Sequence, residues 1–164
     1  MSKITQKITP FLWFDNQAEE AAQFYTSIFK DSKIETISRY SEAGQEIHGR
    51  PPGTAMTVNF QLEGQEFTAL NGGPGFTFTE AVSFVVSCES QDEVDYFWGK
   101  LSDGGEKGHC GWLKDKFGLS WQIVPTILGD LFSSGDAEKS NRVMEALLQM
   151  NKLDIATLQQ AAEQ

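Results

Sequence analysis

The sequence predicts an α+β fold in which a strand–helix–strands unit occurs twice and a helical tail follows. Three observations predict it. First, Ala55 to Leu62 alternates, with Met56, Val58, Phe60 and Leu62 on one face and Thr57, Asn59 and Gln61 on the other. Glu63-Gly64 then turns it into a second run, Gln65 to Asn71. Second, two segments carry apolar residues at helical spacing: Ala18, Ala21, Ala22, Tyr25, Ile28 and Phe29, then Val94, Phe97, Trp98 and Leu101. Third, GHCGWLKDKFGLSWQIVP, from Gly108 to Pro125, reads as two short strands around the turn Lys114 to Gly118.

In chain order, Ile8 to Phe14 is an apolar run read as a buried strand, broken by Asp15-Asn16-Gln17. Asn16 with Glu19 has the pattern of an N-cap and a residue reaching back to it. Asp31-Ser32 ends the first helix, and Ile34 to Tyr40 alternates as a strand. Ser41 to Thr54 is a polar loop of 14 residues containing His48 and Arg50, long enough to form a lid or rim. Asn71 to Gly75 is glycine-rich but opens no helix, so it reads as a linker rather than a phosphate cradle.

Ala81 to Cys88 repeats the opening strand, and Ser90 with Glu93 is a capping box. Gly104-Gly105 ends the second helix. The strand carrying His109, Cys110, Trp112 and Leu113 follows, then Leu119 to Val124, which stops at Pro125. In the tail, Leu128, Leu131 and Phe132 make a short helix. Asp136 caps a helix carrying Val143, Met144, Leu147 and Leu148, and Asp154 caps another carrying Ile155, Leu158, Ala161 and Ala162. Such a stripe packs on its own domain or across a dimer interface, or else recruits a partner.

The totals narrow the function classes. The 164 residues fit one domain or two small fused modules, and 40% hydrophobic content builds a core without staples. A net charge of −10 argues against nucleic acid and against an anionic membrane surface. No apolar stretch reaches the roughly 20 residues of a membrane span. Cys88 and Cys110 form neither a disulfide framework nor a zinc pattern, so a reducing cytoplasm is the expected location. Cys110 beside His109 has the composition of a nucleophile–base pair, but neighbours on a strand point to opposite faces.

TPFLWF near the start, EEAAQFY in the first helix, DKFGLSWQIVP and RVMEALLQMNKLDI together resemble the PhnB-like group. That group belongs to the vicinal oxygen chelate superfamily, the fold of glyoxalase I and the bleomycin-resistance proteins. Many of its members carry the label demethylubiquinone 3-methyltransferase-like. The resemblance covers nearly the whole chain. It implies a single domain over residues 1–164: a βαβββ module at about 5–72, a second at about 80–125 and a tail at 126–164. It also implies curved sheets around a cavity, and a homodimer.

The superfamily's enzymes hold a divalent metal with His and Glu from four strands. By the resemblance, those positions fall at or near Pro10, Asn59 (or Thr57), Ser83 and Gln122. Proline offers no donor atom, and neutral amide and hydroxyl oxygens are poor ligands for Zn, Ni, Fe or Mn. The expectation is therefore no metal and no cofactor. Trp13, Trp112 and Cys110 join Asn59, Ser83 and Gln122 as candidate pocket residues for an unknown small molecule. The first reading is a metal-free small-molecule-binding protein. The alternatives are an enzyme, whether a methyltransferase by label or a lyase or isomerase by superfamily, and a dimeric scaffold with no ligand.

Overall fold

The computed structural model describes residues 4–164 in two compact units, one ending at Thr77 and the other beginning at Phe78. The first unit contains β1 (Phe11–Phe14), α1 (Ala18–Ile28), β2 (Lys33–Arg39), α2 (Gln45–His48), β3 (Ala55–Leu62) and β4 (Gln65–Asn71). Its sheet has the order β1-β4-β3-β2, with β1 parallel to β4 and the other pairs antiparallel. The second unit contains β5 (Ser83–Cys88), α3 (Gln91–Ser102), β6 (Glu106–Lys107), β7 (Trp112–Lys114) and β8 (Ser120–Pro125). Its sheet has the same arrangement, β5-β8-β7-β6, with β5 parallel to β8. The repeat expected from the sequence is thus a repeat of topology.

The alternation on β3 works as a strand pattern should. Val58, Phe60 and Leu62 are buried against α1, whose Ala18, Ala21, Ala22, Tyr25 and Ile28 form the facing stripe. Tyr25 and Phe60 stack with centroids 6.1 Å apart. Glu63 and Gly64 both take positive φ, 51° and 80°, which matches the twist of a two-residue hairpin and sets Leu62 opposite Gln65. In the second unit Val94, Trp98 and Leu101 of α3 pack towards Trp121 and Ile123 of β8 and Val86 of β5.

Several local expectations need correction. β1 begins at Phe11, not Ile8, and Ile8 is 85% exposed. Pro10 has no N–H to give a ladder, although its carbonyl accepts from Thr68 N at 3.0 Å. Asn16 does not cap α1. The N-cap is Gln17 with no side-chain bond, and the Oδ1 of Asn71 accepts instead from Ala18 N at 2.8 Å. α1 stops at Ile28, ahead of Asp31. Ser41 to Thr54 is not structureless, since it holds α2. β5 starts at Ser83 rather than Ala81. His109 and Cys110 precede β7 in a turn, with Cys110 at φ 58°. The two-residue β6 gave no sequence signal and is held by its pairing with β7.

Ser90 caps α3 as expected, its Oγ accepting from Glu93 N at 3.2 Å, but the return bond reaches one residue further back, with Glu93 Oε2 accepting from Glu89 N at 2.8 Å. The tail consists of α4 (Ile127–Phe132), α5 (Ala137–Leu148) and α6 (Ile155–Glu163). Asp136 and Asp154 cap α5 and α6 through Lys139 N and Thr157 N. Leu131, Val143, Leu147, Leu153 and Leu158 form the tail's own core. The tail packs on its own unit. Cys110 N and Gly111 N donate to Met150 O and Asn151 O, both at 2.8 Å, and Gln91 bonds Leu153 O and Ile155 N. Met144 and Leu148 stay exposed on α5. Among the described residues, no helix is long and apolar enough to cross a membrane.

Candidate functional site

Each sheet has one face covered by its helix and one face turned away from it. In the first unit the far face carries Trp13 from β1, Thr68 from β4, Thr57 and Asn59 from β3, and Thr36 and Ser38 from β2. Cross-strand partners in register place these polar groups side by side, and they bond each other. Asn59 Nδ2 donates to Thr36 Oγ1 at 2.9 Å, and Thr68 Oγ1 donates to Asn59 Oδ1 at 3.0 Å. Ser38 and Thr57 share a hydroxyl bond, and Gln61 donates to Glu35. Asn59 therefore has both ends of its amide engaged within the sheet.

Trp13 is fixed from three sides. Its Nε1 donates to Gly73 O at 2.9 Å, and Phe76 meets it edge-on at 4.9 Å. Gly72 lies so close that a Cβ there would sit 2.3 Å from the indole Cζ2. The loop from Ser41 to Thr54 is anchored rather than free. Arg50 Nη2 donates to Asp15 O at 2.8 Å, and His48 Nδ1 accepts from Arg50 N at 3.0 Å. The His48 ring lies 4.6 Å from Tyr40.

In the second unit, alternation in β8 turns Leu119, Trp121 and Ile123 towards α3 and places Ser120, Gln122 and Val124 on the far face. Register adds Ser83 of β5 opposite Ser120, and Lys114 and Trp112 of β7 opposite Ser120 and Gln122. Gln122 Nε2 donates to Ser83 Oγ at 2.9 Å. Lys114 forms an ion pair with Glu80. That hydrogen-bonded pairing raises the lysine pKa and lowers the carboxylate pKa.

The structure thus brings Ser83, Trp112 and Gln122 together on one sheet face. Trp13 and Asn59 lie on the sheet of the first unit. Cys110 lies in the turn before β7, packed against the tail core, with Sγ donating to Leu147 O at 3.6 Å. His109 Nδ1 instead meets Asn151 Oδ1 at 2.9 Å, so the two neighbours are held by different partners.

Ser120 is the residue that sequence reasoning passed over. It is 1% exposed, and its Oγ is buried with no hydrogen-bond partner among the described residues. The available signal was a small polar residue in phase with Gln122 inside an otherwise bulky strand.

The superfamily's metal does not fit these residues. Asn59 and Thr57 are bonded within the first sheet, and Ser83 and Gln122 are bonded to each other. None of the four positions carries an imidazole or a carboxylate. Among the described residues, no three His, Cys, Asp or Glu side chains converge on a cation site. A groove of about 350 Å³ lies on the tail, lined in part by Arg142, Glu145, Thr157 and Gln160. Arg142 is occupied there, donating to Ala161 O and Ala162 O at the end of α6.

Burial pushes the Cys88 thiol up to about 11, and the nearby Glu93 carboxylate adds to the effect. A raised folded-state pKa favours folding below the unfolded value of 9.0, and the benefit is lost as pH rises through the folded value. Urea unfolding is expected to show wild type losing stability between about pH 8 and about pH 10.5 relative to Cys88→Ala. Parallel pH profiles for the two proteins would contradict the assignment.

Residues 6–124 match the family model described as 3-demethylubiquinone-9 3-methyltransferase. A solved structure from Bacillus cereus, provisionally described as a 3-demethylubiquinone-9 3-methyltransferase, PhnB protein, is 41% identical. Its TM-score is 0.66, and the match covers 74% of this chain and 100% of that one. Two more distant structures share the fold alone. Protein PA1353 from Pseudomonas aeruginosa is 17% identical with a TM-score of 0.58, covering 74% of this chain and 98% of that one. The fosfomycin resistance protein FosX from Listeria monocytogenes, complexed with Mn(II) and sulfate, is 13% identical with a TM-score of 0.52, covering 79% and 97%. No curated protein matches the chain. The tail from residue 126 lies outside the matched segment of the family model.

Proposed function

We propose that this chain, which belongs to the 3-demethylubiquinone-9 3-methyltransferase family, binds a small organic molecule without a metal ion. The observation that carries the reading is the Gln122–Ser83 hydrogen bond beside Trp112 on the second sheet. Where the superfamily's enzymes are expected to use imidazole and carboxylate, this chain has a neutral amide and a hydroxyl next to an indole. A few convergent polar groups against an aromatic wall orient an organic ligand, whereas they hold a divalent ion poorly.

The family description names a methyl transfer. Common S-adenosylmethionine enzymes bring a glycine-rich turn between a strand and a helix close to the cofactor. Here the glycines after Asn71 lead from β4 to another strand, β5. No feature of the site favours methyl transfer over binding. The two cysteines are free thiols, which fits a reducing cytoplasm, and the superfamily likeness supports a homodimer as the assembly.

Elemental analysis of the purified protein, with thermal shifts on adding Zn, Ni, Mn and Fe, tests the reading. The expected result is less than about 0.1 metal per chain and no concentration-dependent shift. A screen of aromatic small molecules should yield at least one whose stabilisation disappears in Trp112→Ala. Stoichiometric metal, or a melting temperature that climbs with metal concentration, would return the chain to the metalloenzymes.

A further inference from the structure

We infer that Asn71–Gly72 is a self-modification site, an Asn-Gly pair that closes to a succinimide when the first unit opens and is held shut while β1 and α1 are docked on β4. Asn71 is the one asparagine in the sequence followed by glycine; the other four precede Gln, Phe, Arg and Lys. Glycine matters because it has no side chain to obstruct the approach of its own amide nitrogen. Packing demands both residues. Asn71 supplies an acceptor for Ala18 N and a donor to Ala55 O, and a Cβ on Gly72 would meet the Trp13 ring at 2.3 Å. The fold thus fixes a reactive pair side by side at the end of β4.

The step needs no reagent beyond water. The Gly72 amide nitrogen gives its proton to solvent base and bonds to the side-chain carbonyl carbon of Asn71. The carboxamide nitrogen takes up a proton and leaves as ammonia. Water then opens the five-membered imide at either carbonyl, leaving aspartate or isoaspartate. In the folded chain both reacting groups are engaged. Gly72 N donates to Phe14 O at 2.9 Å, Asn71 Oδ1 accepts from Ala18 N at 2.8 Å, and Nδ2 donates to Ala55 O at 3.0 Å. Tyr40 Oη donates to the Asn71 backbone oxygen at 2.6 Å, and Asn71 is 3% exposed. Nucleophile and electrophile must first shed partners on β1, α1 and β3, so opening of that corner limits the rate. The product does not fit back. Aspartate sets a carboxylate oxygen where Nδ2 now donates to Ala55 O, and isoaspartate also lengthens the backbone by a methylene ahead of the Gly72–Phe14 bond. Each conversion is a permanent record that β4 lost its neighbours.

The test incubates the full chain in mildly alkaline buffer, folded and in urea. Conversion at residue 71 is followed by peptide mass mapping, with electron-transfer fragmentation to separate aspartate from isoaspartate. The unfolded chain is expected to convert at residue 71, and the folded chain at least about a hundredfold more slowly. Tyr40→Phe removes one restraint and keeps the ring, so folded-state conversion should rise about threefold or more. Asn71→Gln, which would have to close a larger ring, should show no conversion in urea. Asn71→Asp, the direct product, is expected to melt about 5 °C below wild type. An unfolded wild type that stays unconverted at residue 71, or equal conversion in Asn71→Gln, would remove the site. Equal rates in folded and unfolded chain, or a Tyr40→Phe rate no higher than wild type, would overturn the restraint assigned to the docked corner. An Asn71→Asp chain as stable as wild type would overturn the one-way record.

Discussion

Replacing Asp115 by alanine is expected to cost about 4 kcal/mol of folding stability, among the largest effects of any single substitution in the chain. Asp115 is 2% exposed, and its carboxylate organises the whole β7–β8 turn. Oδ1 accepts from Phe117 N at 2.9 Å and Leu119 N at 3.1 Å, and Oδ2 accepts from the buried indole Nε1 of Trp121 at 2.9 Å. Alanine would leave these donors without their acceptor, and the Trp121 ring is itself only 3% exposed. Asparagine keeps one acceptor but turns an amide N–H₂ towards the indole N–H, so Asp115→Asn should cost about 2 kcal/mol. Trp121→Phe removes the clash of donors. A double-mutant cycle between the two sites should therefore return a coupling of at least about 1 kcal/mol in urea titrations with an unchanged m value. A loss below about 1 kcal/mol for Asp115→Ala would mean that the turn closes without its carboxylate.

Gly72→Ala is expected to cost about 3 kcal/mol, for a steric reason rather than a conformational one. The new methyl carbon would lie 2.3 to 2.5 Å from three atoms of the Trp13 six-membered ring. The indole cannot simply withdraw, because its Nε1 is bonded to Gly73 O and its face meets Phe76. In a Trp13→Ala background the same substitution should be nearly neutral, within about 0.5 kcal/mol, since the obstacle has gone. Equal costs in the two backgrounds would point to the backbone and away from the ring.

Both residues show what a one-dimensional pattern can and cannot reveal. Alternation in Ala55 to Leu62 and helical spacing in Ala18 to Ile28 were legible because each depends on a period that local sequence carries. The caps at Ser90, Asp136 and Asp154 were legible because their donors lie three residues away. The cap of α1 was not, because its acceptor is Asn71, on a strand far along the chain. Hydrophobicity alone makes Ile8 look like a buried strand residue, yet the missing N–H of Pro10 ends the ladder before it. At the candidate site, the residue types of Ser83, Trp112 and Gln122 were visible, but their meeting on one face depends on strand register. Asn59 reads as a free polar group in the sequence and is engaged on both sides in the fold. Ser120 escaped notice because burial without a partner is a property of three dimensions only.

The borrowed cap of α1 has a consequence for how the chain folds. A helix of 11 residues is marginal by itself, and this one lacks a side-chain cap of its own. Its first N–H is satisfied only when Asn71 arrives from 53 residues downstream, and β1 likewise waits for β4 as its parallel partner. The α3 helix carries its cap in Ser90 and Glu93, available as soon as that segment exists. The two halves therefore share a topology, and in both the opening strand waits for the closing one, but they do not share the origin of the helix cap. In the second the cap is local to the helix. In the first the N-terminal end of α1 gains its acceptor only once β4 has reached it, so helix and sheet are coupled there.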